Sequence, residues 1–453
     1  MAGWSISLSG GGHRAGLFGL GVLLYVTDAQ LNQQVTSIAS VSGGSLTNGF
    51  VATHLDYAAT DGDTFRSRTA PLARRCALRG TVEWAPETVL LLVVILAGLA
   101  LTAVPWCWLG ACWLATVLCV IGAVVALVGT QLRSAVADRV LRRLLFHTPA
   151  GPAQLKDLHG AVTHVFCATE VQSNVHAYFS RNFAYSYRFG LSTGAGRLNV
   201  STAVQASACF PGAFNPRRLS ARKLGFDRAQ LRRLWLVDGG VYDNMGDQWA
   251  HGLADRLRTD PELAGLAGEV PDDLLVVNAS ARSDGGAAPF LMRVPLIGEL
   301  MTLLKENSIL YQVSTTTRRS SLVNEFDLVR LARELPPDGG GSELLAIAGQ
   351  SGTLVNIAGS PTWTRDVRRS SAAEQQACEE VAAKLAEFVE QDWIEEARTR
   401  SLAVKTTLAR VGRDDALALL WHGYVLAMTN LHVFYRTTLF DIPSKQHFES
   451  LLS

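Results

Sequence analysis

Residues 4–16 read WSISLSGGGHRAG, a short strand-like run followed by a glycine-rich loop and the start of a helical pattern. Consecutive glycines let the backbone turn tightly and direct several N–H groups toward one point, as an anion or oxyanion site requires. The loop lacks the Gly-Lys-Ser/Thr ending of a Walker phosphate loop, and Gly10, Gly12 and Ala15 meet the dinucleotide fingerprint only in a relaxed form. A simple tight turn and a nucleotide site are the alternatives for this loop taken alone.

Residues 40–45, SVSGGS, lie at a second junction between a strand-like run at 35–41 and a helical pattern at 43–55. A nucleophile elbow needs a serine on a sharp turn with small neighbours, because the backbone there is strained. Gly43 and Gly44 provide this room, and the following helix directs its positive end toward the serine. Ser40 stands where a Gly-x-Ser-x-Gly elbow has glycine, and serine is small enough to fit. The pattern predicts Ser42 as the nucleophile.

A third motif, VDGGVYDN at residues 237–244, follows the apolar run LWLV at 234–237. An aspartate at the end of a strand projects from the edge of the sheet where α/β proteins build their sites. Asp238 is therefore the candidate partner of Ser42. The alternative is an Asp-Gly turn that only closes a strand.

The rest of the chain alternates strand-like and helical patterns, which predicts an α/β sheet with helices on both faces. The runs at 162–168, 234–237 and 274–277 are short and apolar, as is typical of buried parallel strands. The last stretch is mostly helical, and we interpret the apolar pattern at 414–435 as core packing rather than a lipid-binding surface.

Residues 88–130 contain no charged side chain. One membrane span needs about 20 residues, so this segment fits two spans joined near Pro105, Trp106 and Trp108. Arginines precede and follow the segment at positions 66, 68, 74, 75, 79, 133, 139, 142 and 143. Basic flanks at both ends predict a hairpin in the inner or plasma membrane with the remaining chain on the cytoplasmic side. A buried helix pair in a soluble protein and a re-entrant hairpin are the alternatives.

Taken together and in this order, the three motifs resemble the patatin-like phospholipases, a family related to the cytosolic phospholipases. The segment ASACFPGAFNP at 206–216 also resembles the family, and the likeness covers residues 4–57 and about 159–313. It implies a three-layer α/β/α domain and a Ser-Asp dyad. In that dyad Ser42 attacks an ester carbonyl and Asp238 accepts its proton. The resemblance also implies the residues of the oxyanion hole, which are Gly10, Gly11, Gly12 and the bracing Arg14.

An ordinary α/β-hydrolase with a catalytic histidine is the main alternative fold. The histidines that follow Asp238 in the order this fold requires are His251, His422, His432 and His447. Only one strand precedes the serine strand, however, and that fold has several. His13, inside the glycine loop, is expected to be solvated.

Four regions follow from these patterns. Residues 1–70 and 146–335 are two parts of the catalytic domain, and 71–145 is the inserted hairpin. Residues 336–453 form a helical addition that begins with the loop PPDGGGS.

The 41 Lys and Arg residues against 40 Asp and Glu residues give no basis for nucleic-acid binding. The seven cysteines include no Cys-x-x-Cys pair, so we predict neither a metal site nor a cofactor. The predicted partners are a membrane lipid substrate and the bilayer at residues 88–130, and oligomeric state is left open. A catalytically silent membrane scaffold and an acyltransferase are the alternatives to a lipid hydrolase.

Overall fold

The computed structural model describes residues 3–109, 113–226, 232–280, 297–335, 340–366, 369 and 371–453. Its strands are β1 (Trp4–Leu8), β2 (Val35–Ser40), β3 (His147–Thr148), β4 (Gly151–Pro152), β5 (Thr163–Glu170), β6 (Val175–Phe179), β7 (Ala184–Ser186), β8 (Gly190–Ser192), β9 (Arg217–Ser220), β10 (Arg233–Asp238), β11 (Asp273–Asn278) and β12 (Ser351–Asn356).

The helices of the amino-terminal half are α1 (Gly12–Asp28), α2 (Gly43–His54), α3 (Gly62–Arg74), α4 (Pro86–Leu109), α5 (Trp113–Gln131), α6 (Arg133–Leu144), α7 (Val200–Ser207) and α8 (Ala221–Leu224). Those that follow are α9 (Gln248–His251), α10 (Leu253–Thr259), α11 (Ala264–Ala267), α12 (Ile297–Glu334), α13 (Gly341–Ala348), α14 (Ala372–Glu387), α15 (Gln391–Ala403), α16 (Arg413–Tyr435) and α17 (Gln446–Glu449).

A mixed sheet forms the middle layer, with the order β12-β11-β1-β2-β5-β6-β7-β8 among the described residues. Strands β12, β11, β1, β2 and β5 are parallel, whereas β6, β7 and β8 continue the sheet as antiparallel strands. The predicted strands at 162–168 and 274–277 are therefore confirmed as parallel.

The prediction that 234–237 is a parallel strand is wrong, because β10 pairs antiparallel with both β5 and β9. A four-residue apolar run shows that a strand is buried but not in which direction it runs. One edge of β5 pairs with β6, and its other edge pairs first with β2 and then, beyond the end of β2, with β10. Strand β10 therefore lies beside β5 in the space beyond the end of β2, and the last residue of β10 lies near that end.

Alternating side chains of the strands pack against helices on opposite faces of the sheet. Leu275 and Val277 belong to the core cluster that contains α1, α2 and α16, whereas Leu274 and Val276 pack with Leu322 of α12. A third cluster places α9, α10 and α11 over β5, β6 and β7. The fold is therefore the expected three-layer α/β/α arrangement.

Helix α16 is a core helix, as its apolar pattern predicted. It packs closely on α1, where a side chain at Gly21 would come within 2.1 Å of the Leu420 carbonyl oxygen and one at Gly423 within 2.2 Å of the Phe18 oxygen. The carboxyl-terminal region also contributes β12 to the sheet, which its helical pattern did not reveal. The boundary placed at 336 falls outside the described residues.

Three helices in the described part of the chain are long and apolar enough to cross a membrane, namely α4, α5 and α16. Their surroundings differ, since 94% of the apolar window of α16 is buried but only 11% and 22% of the windows in α4 and α5. Helices α4 and α5 pack mainly on each other, through the close approach of Gly98 and Gly122. Large apolar side chains such as Leu90 and Leu127 are exposed along both helices.

The turn predicted at Pro105 is wrong, because α4 continues through this proline to Leu109. Proline removes one hydrogen bond from the turn before it, and Pro105 lies in the last turns of α4, so few bonds of the helix are affected. The connection to α5 at residues 110–112 lies outside the described residues.

Candidate active site

Ser42 lies on a strained turn between β2 and α2. Its backbone angles are φ 50° and ψ −116°, in a region that residues with a side chain rarely adopt. The residue is half-buried, so its hydroxyl can meet a substrate. Strain of this kind is what a nucleophile elbow produces.

Gly43 and Gly44 allow the elbow to touch the glycine loop backbone to backbone. A Cβ atom on Gly43 would lie 2.0 Å from the Gly12 carbonyl oxygen, and one on Gly44 would lie 2.6 Å from the Leu8 carbonyl oxygen. Real side chains do not approach backbone atoms this closely, so both positions require glycine.

Ser40 replaces the first glycine of the usual elbow and is buried in a polar network. Its hydroxyl donates to the Val165 carbonyl oxygen at 3.1 Å and accepts from Ser45 Oγ at 3.0 Å and Asn48 Nδ2 at 2.9 Å. These bonds satisfy the hydroxyl, which explains why serine is accommodated below Ser42.

The glycine loop adopts backbone conformations suited to glycine, with φ 144° at Gly11 and φ 61° at Gly12. Gly10 lies against Ser42, since a Cβ on Gly10 would be 3.3 Å from Ser42 Cβ. Among the described residues, none accepts a hydrogen bond from the N–H groups of Gly11, Gly12 or Gly43. In the part of the chain that the structure describes, the amino ends of α1 and α2 therefore present N–H donors without an acceptor beside Ser42, as an oxyanion hole requires.

Arg14 braces the loop from behind. Its guanidinium donates to the carbonyl oxygens of Ala279 and Val404, at 2.9 and 2.6 Å, and to Thr406 Oγ1 at 3.1 Å. Burial lowers the pKa of Arg14 to about 10, which leaves it charged at neutral pH. Its bonds connect the glycine loop to the residue that follows β11 and to the segment after α15.

His13 is buried, so the expectation that it is solvated is wrong. Its ring nitrogens contact the Ala409 carbonyl oxygen at 2.6 Å and Thr81 Oγ1 at 2.9 Å. Burial lowers the pKa of His13 to about 4, so it is neutral at physiological pH. The helix begins at Gly12 rather than Gly16, and His13 turns inward with it.

Asp238 ends β10 at the level of the elbow. It pairs with Ala168, two residues beyond the Phe166 that pairs with Ser40. The side chain is 1% exposed, and Oδ1 accepts a hydrogen bond from the Gly240 N–H at 2.8 Å. Because β10 runs antiparallel to β5 and ends near the end of β2, its last residue, Asp238, lies on the same side of the sheet edge as Ser42.

Burial raises the pKa of Asp238 to about 6, and its interactions with the Ser42 hydroxyl and the Gly240 N–H lower it, with Ser42 the larger of the two. Ser42 therefore lies close to this carboxylate. Within the described residues, however, Oδ2 receives no hydrogen bond of normal geometry. Serine–base contacts in substrate-free enzymes are often long or poorly aligned, so we treat the pair as close but not tightly bonded.

Three further residues position the site, and sequence reasoning did not single them out. Ser207 Oγ accepts the Ser42 N–H at 3.1 Å and donates to the Cys167 carbonyl oxygen at 2.7 Å. Asn244 Oδ1 occupies the space beside Gly10 and Gly240, where a Cβ atom would lie 2.3 and 2.6 Å away. Ser207 lies in the segment ASACFPGAFNP and Asn244 in the motif VDGGVYDN. Their place in these two family-like segments is the sequence signal that could have identified them.

Tyr311 of α12 packs against Gly240, the residue whose N–H bonds to Asp238. A Cβ on Gly240 would lie 2.7 Å from its ring, and its hydroxyl is buried without a partner in the described part of the chain. Burial and the neighbouring Asp238 raise the pKa of this phenol. No local pattern distinguishes Tyr311 from other residues of a long helix, so the sequence offered no signal for it.

None of the four candidate histidines contacts the pair among the described residues. His251 faces Glu325, His422 contacts the Ile357 carbonyl oxygen, His432 contacts Glu380, and His447 contacts Arg66. The buried His176 contacts the residue after Asp238, with Nε2 3.3 Å from the Gly239 carbonyl oxygen. Its pKa is lowered to about 3 by burial, and its other nitrogen contacts Tyr178. In the described residues, His, Cys, Asp and Glu form no group of three that could hold a metal ion.

A sequence model of the patatin-like phospholipase family matches residues 6–246, which is more than half of the 453-residue chain. Among solved structures, human GIVD cytosolic phospholipase A2 is 14% identical with a TM-score of 0.37, over 62% of this chain and 46% of that one. VipD from Legionella pneumophila is 12% identical with a TM-score of 0.27, over 98% of this chain and 93% of that one. No curated protein matches the sequence of this chain. The chain spans less than half the length of the human phospholipase, and the match to the family model shows that it belongs to the patatin-like phospholipase family.

Proposed function

We propose that this protein is a membrane-anchored lipid acyl hydrolase that cleaves ester bonds of phospholipids or lysophospholipids through Ser42 and Asp238. The observation that supports the proposal is the strained backbone of Ser42 beside the buried Asp238, whose pKa Ser42 lowers, and beside backbone N–H groups that have no acceptor among the described residues. Family membership supports the lipid hydrolase class, and the specific substrate is our inference.

In the proposed first step, Ser42 Oγ attacks the ester carbonyl carbon while Asp238 accepts the hydroxyl proton. The negative charge that develops on the carbonyl oxygen lies near the N–H groups of Gly11, Gly12 and Gly43. As the C–O bond of the ester breaks, the leaving alcohol takes the proton from Asp238. This alcohol is a lysophospholipid when the substrate is a phospholipid, and the deacylated glycerophospholipid when the substrate is a lysophospholipid. The acyl group stays on Ser42.

In the second step, Asp238 accepts a proton from water, whose oxygen attacks the acyl carbon. The proton then returns to Ser42 Oγ as the fatty acid leaves. A carboxylate with an ordinary pKa of about 3.9 is a weak base for both steps. The raised pKa of Asp238, about 6, makes it a stronger base that is still ionised at neutral pH.

The hairpin of α4 and α5 is the proposed membrane anchor. A helix rises about 1.5 Å per residue and the hydrocarbon core is about 30 Å thick, so about 20 residues cross it. The 24 residues of α4 and the 19 residues of α5 meet this length, and the apolar side chains described along 86–103 and 113–131 are mostly exposed. Exposed apolar surface of this extent favours contact with lipid over contact with water. Basic residues on both flanks support a cytoplasmic position for the catalytic domain.

Fatty-acid release from phosphatidylcholine vesicles and from lysophosphatidylcholine micelles tests the function. We expect the purified wild-type protein to release free fatty acid and to react covalently with a fluorophosphonate. The Ser42→Ala protein serves as the blank and the exposed Ser67→Ala protein as the matched control. Transfer of the acyl group to an added alcohol, with little free acid, would identify an acyltransferase. Folded wild type that neither reacts with the probe nor releases acid would be a silent scaffold and would contradict the proposal.

A further inference from the structure

The first residues after the hairpin are hydrogen-bonded to a loop beside the candidate active site. We call residues 209–215 the rim loop. Arg133 Nη1 donates to the carbonyl oxygens of Gly212 and Ala213, at 2.9 and 3.1 Å. The same guanidinium, through Nε, donates to the Thr130 carbonyl oxygen at 2.9 Å, at the end of α5. One arginine therefore joins the end of the proposed membrane helix to the rim loop.

Ser134 is hydrogen-bonded to the last residue of the rim loop. Its backbone N–H donates to Asn215 Oδ1 at 3.1 Å, and its hydroxyl donates to the Asn215 carbonyl oxygen. The Cys209 thiol donates to that same carbonyl oxygen at 3.0 Å, which closes the loop on itself. Ser134 is 1% exposed, so these bonds are shielded from water and resist exchange with it.

The rim loop is attached in turn to both residues of the proposed dyad. The Asp238 N–H donates to the Cys209 carbonyl oxygen at 3.0 Å. Ser207, two positions before the loop, accepts the Ser42 N–H at 3.1 Å. The rim loop therefore begins directly beside Ser42 and Asp238, so a lipid that crosses it reaches the dyad.

Helix α6 gives this connection rigidity. Asp138 of α6 accepts hydrogen bonds from Ser201 and Thr202 of α7 and from Arg217 of β9, and it is 2% exposed. At the far end of α6, Arg143 forms a two-point pair with Glu87 at the start of α4. The base of the hairpin is thus fixed to the helix and strand that flank the rim loop.

The exposed face of the rim loop suits contact with lipid. Gly212 and Ala213 are exposed, and Phe210, Pro211 and Phe214 are half-buried and apolar. The Phe210 ring lies 5.9 Å from the ring of Tyr311, which covers Asp238. The loop carries no charged side chain, so it can approach the hydrocarbon boundary without burying a charge.

We propose that the rim loop rests on the bilayer surface, held there by Arg133 and Ser134, so that lipid passes from the membrane to Ser42 across it. The inference rests on the proposed lipid hydrolase and extends it by assigning Arg133 a positioning role. Arg133 acts through the loop and touches no reacting atom.

The test compares Arg133→Gln with Arg139→Gln in vesicles of phosphatidylcholine with a minority of phosphatidylglycerol. Both substitutions remove one positive charge from α6, but Arg139 is exposed and has no bond to the rim loop among the described residues. Misplacement of the membrane lipid relative to Ser42 by about 1 Å can reduce the rate about a hundredfold, whereas a soluble ester reaches Ser42 without crossing the rim loop. We expect Arg133→Gln to lower activity on vesicle phospholipid about tenfold, to leave activity on a water-soluble short-chain ester within about twofold, and to leave flotation with vesicles unchanged. Equal vesicle activity in the two variants, or an equal loss on both substrates, would overturn the assignment.

A second measurement does not depend on activity. An environment-sensitive fluorophore is attached to Ala213→Cys protein, with unsubstituted protein as the labelling blank, and nitroxide-bearing lipids serve as quencher. We expect strong quenching in the otherwise wild-type protein, weaker quenching when Arg133→Gln is added, and no change with Arg139→Gln. Absence of quenching in vesicle-bound protein would refute contact between the rim loop and the bilayer. An inactive wild type that is still quenched would count against the hydrolase while leaving the contact in place.

Discussion

Replacing Asp238 by asparagine is expected to abolish most of the ester hydrolysis and, at the same time, to make the fold more stable. The amide cannot accept the Ser42 proton, and loss of a general base costs about a hundredfold to ten-thousandfold in rate. Its carbonyl oxygen can still accept the Gly240 N–H that bonds Oδ1 in the native protein. The site should therefore keep its shape while losing its base.

The stability gain follows from the raised pKa. Asp238 binds its proton more tightly when folded, with a pKa of about 6 against 3.8, so its contribution to stability is fully present below pH 3.8 and is lost as pH rises through 6. At pH 8 the native protein carries a buried carboxylate that costs about 3 kcal/mol, which asparagine removes. The difference in unfolding free energy between the two proteins should shrink as pH falls from 8 to 4.

Thermal unfolding of detergent-solubilised protein at both pH values measures this difference, together with fatty-acid release. Asp255→Asn is the matched control, because Asp255 is exposed and its carboxylate pairs, among the described residues, with Arg258 on the surface. We expect the control to change stability by less than about 0.5 kcal/mol and to remain active. An Asp238→Asn protein with more than a tenth of wild-type activity would exclude Asp238 as the base.

A single methyl group at Gly43 is expected to damage both the fold and the oxyanion hole. The added Cβ would lie 2.0 Å from the Gly12 carbonyl oxygen and 2.7 Å from the Gly12 nitrogen, and neither backbone atom can rotate away. Overpacking of this kind costs about 3 kcal/mol. Separating the two loops also moves oxyanion donors, and the loss of one donor costs about a hundredfold to a thousandfold in rate.

Gly265→Ala provides the matched control, since a Cβ there would meet nothing within 4 Å in the described structure. Within a helical turn, alanine in place of glycine stabilises by up to about 1 kcal/mol. Thermal unfolding and activity on a soluble ester compare the two proteins. A Gly43→Ala protein as stable and as active as wild type would contradict the close contact between the elbow and the glycine loop.

The sequence predicted those parts of the site that depend on local backbone chemistry. The glycines at 10–12 and 43–44 and the serine between two small turns follow from what a tight strand-to-helix connection can contain. The order of the three motifs along the chain is enough to single out Asp238 as the candidate partner of Ser42. The core role of α16 was also predictable from its pattern.

Contacts between distant segments were not predictable, because no local pattern records them. His13 is polar and lies in a loop motif, yet its partners Thr81 and Ala409 come from elsewhere in the chain. The direction of β10 depends on the space left beyond the end of β2, which a short apolar run does not encode. In the sequence, Arg133 resembles any basic residue beside an apolar segment, and only the folded chain brings the rim loop next to it.

The most direct test of the central claim, that Ser42 and Asp238 act together, is the pH dependence of fluorophosphonate labelling with the adduct mapped by mass spectrometry. Cys209 and Tyr311 lie beside Asp238 and have raised pKa values, so both stay neutral as Asp238 titrates. We predict that the adduct forms on Ser42, at a rate that is constant from pH 7 to 8 and falls about tenfold per pH unit below the Asp238 pKa of about 6. Labelling at another residue, or a Ser42 rate that does not change between pH 8 and pH 5, would contradict the account.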